Sequence, residues 1–254
     1  MGRDQKLSDA FVGLADTLGE NFDVVDLFER LAAHCVALSG ASAAGVMMSD
    51  GRGRLRVVAA SQERAAFLDL FQLQIGKGPC VECYGTGEPV IAVPVATREE
   101  QWPELVPAVR EAGFGAIAAV PLRLHENVIG AVNLFYAPPQ PSTDEDVYLV
   151  QALADVAAMA MLRWPSPQTR PEDIIARLQA TITNKVAIEQ AKGALAQFGG
   201  IEIAEAGEAL RAYAQARRTR ITDVARAVVR RTLPLEEVLE YSTATPRRVV
   251  GESG

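Results

Sequence analysis

The sequence predicts an α+β protein with an all-α module behind it: a mostly antiparallel sheet with flanking helices over the first 164 residues, then three helices. Three observations carry this prediction. Apolar residues recur at helical spacing at both ends of the first part and at strand spacing between them. Pro165-Ser166-Pro167-Gln168-Thr169-Arg170-Pro171 then places three prolines in seven residues, a run that no helix continues through. Beyond it every periodic segment is helical. A chain of 254 residues holds two modest domains, each with a core of its own.

Leu7, Phe11, Leu14 and Leu18 share one helical face, which predicts an opening helix over 6–19; Val24, Leu27, Leu31 and Cys35 predict a second over 24–38. The period then shortens. Ser42–Met48 and Leu55–Ser61 are short apolar or alternating runs around Asp50-Gly51-Arg52-Gly53, a hairpin signal. Glu63–Phe71 reads as a short helix, and Gly76-Lys77-Gly78-Pro79 as a sharp turn. Pro89–Val95 is a strand, Pro103–Ala112 a helix, and Gly113 its stop. Gly115–Leu124 and Val128–Tyr136 are two apolar strands joined by His125-Glu126-Asn127. Thr143 caps a long helix, Asp144–Leu162, whose apolar positions include Val147, Val150, Leu153 and Met161. The excursion between the strands crosses one face of the sheet, an arrangement able to enclose an apolar cavity.

After the prolines, Ile174, Leu178 and Ile182 begin a long helix that stops at Gly199-Gly200. A second, over Ile203–Arg217, presents Ala206, Leu210, Tyr213 and Ala214. Thr222 caps a third, with Asp223 well placed on the helix dipole and Val224, Ala225, Val228 and Val229 as its buried stripe. Pro234 opens a weak final helix, and Ser242–Gly254 reads as a loose tail. The expected division is a domain over 7–163, a linker over 164–173, a helical domain over 174–233, and a short helix with tail over 234–254.

The net charge of −7 conceals an asymmetry: residues 1–164 carry 12 basic against 21 acidic side chains, whereas 177–233 carry 10 against 5. An acidic body joined to a basic module points to a polyanionic partner for the module; a solvated helical face that happens to be basic is the plainer alternative. No run of about 18 apolar residues occurs, so no membrane-spanning helix is expected. Met1-Gly2-Arg3-Asp4-Gln5-Lys6 leads into a segment carrying Asp9 and Asp16, unlike a signal peptide. Cys35, Cys80 and Cys83 are too few for a disulfide framework, and the expected location is the cytoplasm.

No catalytic constellation stands out in the first domain. His34 lies beside Cys35 on a helix and His125 in a tight connection, and no phosphate-binding loop or nucleophile elbow appears. An enzyme is not expected, nor a cofactor. Cys80-Val81-Glu82-Cys83 is the local exception: two thiols three apart can form a reversible disulfide or bind a metal, but they supply only half of a tetrahedral set. Simple packing against the sheet is the competing reading.

Gly78-Pro79-Cys80, Gly85-Thr86-Gly87-Glu88-Pro89-Val90, Trp102-Pro103, Gly113-Phe114-Gly115-Ala116, Val120-Pro121-Leu122-Arg123 and Ile129-Gly130-Ala131-Val132-Asn133-Leu134-Phe135 follow one another in an order that resembles the GAF domain of actinobacterial regulators. The resemblance covers about residues 7–163 and implies a sensor of a small molecule or other signal. Val186-Ala187-Ile188-Glu189-Gln190-Ala191-Lys192-Gly193-Ala194-Leu195, Glu205-Ala206, Leu210-Arg211-Ala212-Tyr213-Ala214 and Ile221-Thr222-Asp223-Val224-Ala225-Arg226-Ala227-Val228-Val229 resemble an ANTAR domain over about 177–232. That family implies binding to RNA hairpins and release of transcription termination, usually from a dimer. Ala196 stands where the family has methionine and Gly207 where it has phenylalanine, and Ile201-Glu202-Ile203 lacks its polar cap.

Phosphate contacts are expected from Arg217, Arg218 and Arg220 in the turn between helices two and three, and from Arg226 and Arg230 along helix three. Lys185 and Lys192, seven apart, share a face of helix one; Arg211 adds charge on helix two, and Gln190 is placed to read a base edge or to make a helix contact. Tyr213 either stacks on an unpaired base or fills the core. The expected protein is a cytosolic, homodimeric regulator with RNA hairpins as partner. Two other readings stand beside it: a helix-turn-helix DNA-binding regulator, and a redox or metal sensor working through Cys80 and Cys83.

Overall fold

The five segments with strand periodicity form β1 (Ala43–Ser49), β2 (Leu55–Ala60), β3 (Val90–Pro94), β4 (Ala116–Leu124) and β5 (Asn127–Tyr136). They pair antiparallel into one sheet of order β2-β1-β5-β4-β3. The computed structural model describes residues 2–15, 23–50, 52–138, 143–162 and 171–241. These fall into two units, one drawn from 1–17 and 24–179, the other from 18–23 and 180–254. The expected linker prolines Pro165 and Pro167, the end of the opening helix and the tail lie outside the described residues, as does Gly51 of the first hairpin.

β1 and β4 carry almost no exposed position, and β5 only at its start, because helices cover both faces of the sheet. α1 (Arg3–Ala15), α2 (Val24–Ser39) and α6 (Asp144–Leu162) pack together over one face. α3 (Glu63–Ile75), α4 (Pro79–Thr86) and α5 (Leu105–Glu111) lie over the other. Continuous apolar runs such as Ala116–Val120 are therefore required here, where a sheet with one wet face would alternate. Thr143 caps α6 as expected: its Oγ accepts from the Asp146 N–H at 3.2 Å and donates to Asp146 Oδ2 at 2.8 Å.

Two elements depart from the expectation. α3 runs on to Ile75 before Gly76 turns left-handed, and Pro79 begins a helix where a turn was predicted. Proline suits that first helical position, since its missing N–H would have no partner there. Buried side chains pack the face on which an apolar cavity could form. Leu68, Trp102, Leu105, Val109, Ile117 and Phe135 form one cluster on this face, and Cys80 and Cys83 join Met47, Ala119 and Ala131 in another.

The excursion is pinned by a buried indole. Trp102 is 2% exposed and gives its Nε1–H to Glu82 of α4 at 2.6 Å, while Gln101 reaches the same oxygen at 2.8 Å.

The second unit holds α7 (Pro171–Gly199, from Ala180 onward), α8 (Ile203–Ala216), α9 (Ile221–Val229) and α10 (Leu235–Leu239). Pro171, expected in the linker, is the first residue of α7. Ile188, Ala191 and Leu195 of α7 are buried, as are Leu210 of α8, Val224 and Val228 of α9, and Val238 of α10. Thr222 does not cap α9: the N-cap is Arg220, and Thr222 sits buried within the first turn. Its hydroxyl and amide both donate to Asp23 Oδ2, a residue of the same unit, at 2.5 and 3.3 Å. The cap judged missing from α8 is present in another form. Glu202 is its N-cap, and the Glu205 carboxylate accepts from the Glu202 amide at 3.1 Å.

Replacing Trp102 by Phe removes one charge-assisted hydrogen bond at a partly wet carboxylate and should lower unfolding free energy by about 1 kcal/mol. Trp102→Ala also empties a core position and should cost about 3–5 kcal/mol. Denaturant midpoints measured at constant m-value check both.

Candidate functional site

The alanine-rich helices of the second unit bring their backbones close, which pushes long basic side chains to the rim. What those cations meet there divides them. Lys185 and Lys192 do share a face of α7, and both ammonium groups close on Glu189 Oε1, at 2.8 and 2.9 Å. Burial of that carboxyl works to raise its pKa; the two lysines outweigh it and hold it below the usual carboxylate range. Lys192 also accounts for Gly207, whose missing side chain leaves room for the lysine stem: a Cβ there would meet Lys192 Cε at 3.0 Å. The stem runs where a larger residue on α8 would sit.

Two arginines are likewise engaged inside the unit. Arg226 donates to the buried Asn184 at 2.6 Å, which ties α9 to α7. Arg220 forks onto Asp223 at 2.7 and 3.2 Å. Arg211 is half-buried. Arg217, Arg218 and Arg230 are exposed, as is Arg231, and Arg217 lies over the Tyr213 ring at 5.4 Å. Tyr213 is a core residue, 7% exposed, edge-on to Tyr241 at 5.4 Å. It is therefore not presented as a stacking platform.

Gln190 is exposed on α7 and borders a groove of about 480 Å³. Ala194, Val228, Leu233 and Pro234 give the groove apolar walls, and Arg231 stands on its edge. Sequence reasoning missed Glu189, Asn184 and Asp223 as partners of the cations. Their signal was present: an acid between two lysines at i+4 and i+3 spacing, and Arg220 three residues before Asp223.

In the first unit, Cys80 and Cys83 are buried and free. Burial pushes the Cys83 thiol up to about 12 and the Cys80 thiol well above its ordinary value, which opposes thiolate chemistry at neutral pH. Among the described residues no three His, Cys, Asp or Glu side chains converge as a metal site. His34 is half-buried, with burial and then Arg30 lowering its pKa, and His125 lies in the exposed β4–β5 turn at φ 55°.

The polar centre of this unit lies elsewhere, at residues the sequence reading passed over. Asp69 and Gln72 of α3 and Asn133 of β5 are all fully buried. Asn133 Nδ2 donates to Asp69 Oδ1 at 2.7 Å, and Gln72 Oε1 accepts from the Cys80 amide at 3.3 Å. Burial raises the Asp69 pKa to about 8, against the lowering effect of Asn133. An Asp and a Gln three apart, on one helical face with Ala65 and Leu68, were the available signal.

No helix among the described residues is long and apolar enough to cross a membrane. No curated protein matches the chain. Solved structures similar to it include the GAF domain of a phosphoenolpyruvate-protein phosphotransferase from Coxiella burnetii, 14% identical over 63% of this chain and 93% of that one, with a TM-score of 0.49. The GAF domain of the Acinetobacter phosphoenolpyruvate-protein phosphotransferase is 11% identical over 66% and 100%, at a TM-score of 0.48. A free methionine-R-sulfoxide reductase from Neisseria meningitidis is 16% identical over 62% and 87%, at 0.44. The family profile of the GAF domain matches residues 23–162, more than half of the chain, and that of the ANTAR domain matches residues 176–229. The chain belongs to the GAF domain family and, with an ANTAR domain after the GAF domain, has the architecture of a GAF–ANTAR signal-sensing regulator.

Proposed function

We propose that this regulator works in the cytoplasm without catalysis of its own, binding hairpin RNA in nascent transcripts through its ANTAR domain and preventing termination. The observation that carries the reading is the set of exposed arginines Arg217, Arg218 and Arg230 on an ANTAR domain whose groove is bordered by Gln190 and Arg231. Guanidinium groups supply phosphate contacts, and an apolar groove with an amide on its rim suits an unstacked loop base. Lys185, Lys192, Arg220 and Arg226 act less directly, by shaping the surface through Glu189, Asp223 and Asn184. Arg211 stands between the two groups. A duplex-reading role is less well supported, because α9 is nine residues long and carries neither Asn nor Gln.

The GAF domain is the sensing part, its input a small molecule or another signal. The active form is a homodimer, and Tyr148 and Met159, 72% and 55% exposed on α6, favour self-association.

Titration with a tandem-hairpin RNA and with duplex DNA at two salt concentrations tests the reading. The hairpin should bind more tightly at both, and equal binding of duplex DNA, or of any polyanion, would overturn it. Arg217→Ala and Arg218→Ala should each flatten the slope of log affinity against log salt by about 0.7–0.9. Glu189→Gln should have the opposite sign: it removes a negative charge beside Lys185 and frees the Lys192 ammonium, and should strengthen RNA binding a few-fold at low salt, measured in the same titration.

A further inference from the structure

α3 is inverted at its centre. Asp69 and Gln72 face the sheet and are fully buried, while Phe67 and Leu70 face outward at 58% and 57% exposure. Helices on a sheet place such residues the other way round. The inversion is built into the neighbouring strands and turn. Asp69 sits over the rung where Gly45 of β1 pairs with Asn133 of β5. A side chain at Gly45 would overlap Asp69 Oδ2, and one at Gly78 would overlap Gln72 Oε1. Two slots without side chains therefore receive the two polar groups, one helical turn apart.

The hydrogen bonds in this centre are incomplete. Asp69 Oδ2, Asn133 Oδ1 and Gln72 Nε2 are buried without a partner among the described residues. A carboxylate here would be a buried charge supported by a single amide and no cation, the costly case for an ion in an interior. A proton on Oδ2 removes the charge and supplies a donor beside a carboxamide that has one acceptor to spare. We propose that Asp69 is kept as the neutral acid and that loss of its proton is a switch releasing α3 from the sheet. The inference concerns the GAF domain alone and does not depend on RNA binding.

The surroundings fit that assignment. On α4, the Cys80 thiol lies within hydrogen-bonding reach of Asn133 and is pushed up by burial and then by Asp69. Cys83 lies one turn further along α4, beside Arg123 of β4 and Glu88. Arg56 of β2, Arg64 of α3 and Arg110 of α5 are exposed, and Glu82 of α4 is engaged with Trp102. β1 carries no titratable residue, and β5 only Tyr136 at its end. The buried carboxyl, raised to about 8, thus ionises as pH climbs through mild alkalinity, and the charge it gains is disfavoured where it stands.

The linkage has a definite sign. An unfolded aspartate releases its proton near pH 4 and the folded Asp69 near 8. The stability contributed by the neutral acid is therefore whole below about pH 4, declines as pH rises towards 8 and is lost above it. Asp69→Asn keeps the shape and a donor without the titration.

The test follows unfolding and hydrogen exchange of α3 in the full chain from pH 5 to 9, wild type against Asp69→Asn, with exchange corrected for its intrinsic pH dependence. The wild type should lose stability relative to the variant across this range. Its α3 opening constant should climb up to about tenfold per pH unit between pH 5 and about 8 and level off above that. Parallel stability curves, or α3 protection that does not change with pH, would overturn the proposal. The carboxyl carbon of Asp69, read by NMR in the wild type, decides the matter even where the variant does not fold. A protonated group at pH 7 is expected, and an ionised one at pH 6 sinks the switch.

Discussion

The first unit is organised around the antiparallel pairing of β1 with β5 at the middle of a sheet covered on both faces. A sheet so enclosed has no wet side on which to leave a polar group. Every residue laid across it by the excursion must be apolar or must find its partners inside. Trp102 shows one solution, a large ring buried with its single N–H given to a carboxylate at the edge. Asp69 shows the other, a carboxyl set over the Gly45–Asn133 rung, where the backbone leaves a slot and a carboxamide supplies a hydrogen bond. Burial of both sheet faces makes the first arrangement stabilising and the second conditional on a proton.

The same enclosure explains the two cysteines. Beside Pro79 at the start of a helix, Cys80 has the sequence context of an activated thiol, yet both cysteines are buried in a cluster with Met47, Ala119 and Ala131, where a thiolate is disfavoured. A neighbouring neutral carboxyl adds no cation to stabilise one. Their contribution is volume under the excursion, on the same face that holds Asp69 and Gln72.

In the ANTAR domain the balance runs differently, because the module is small and its cations stand at the surface. Total charge there overstates the charge presented to a partner. Glu189 draws in two lysines, Asp223 one arginine and Asn184 another, so the exposed positive field comes from fewer groups than the sequence carries. Gly207 and Lys192 form one unit of packing across α8 and α7, in which a missing side chain makes space for an aliphatic stem.

Much was legible before any coordinates. The periodicity of Leu27, Leu31 and Cys35, the apolar runs of β4 and β5, the Thr143 cap and the order of motifs in both domains determined element types and families, since these depend on spacing along the chain alone. α4 was missed because its first turn is written in Gly, Pro and Cys, residues that read equally as a turn. The cap on α8 was missed because two glutamates share it. Tertiary structure alone decided which way α3 faces, which lysines and arginines are occupied, and that a carboxyl meets an asparagine 64 residues away. Those outcomes rest on burial and on pairing between distant segments, and local spacing carries no record of what another strand will place opposite.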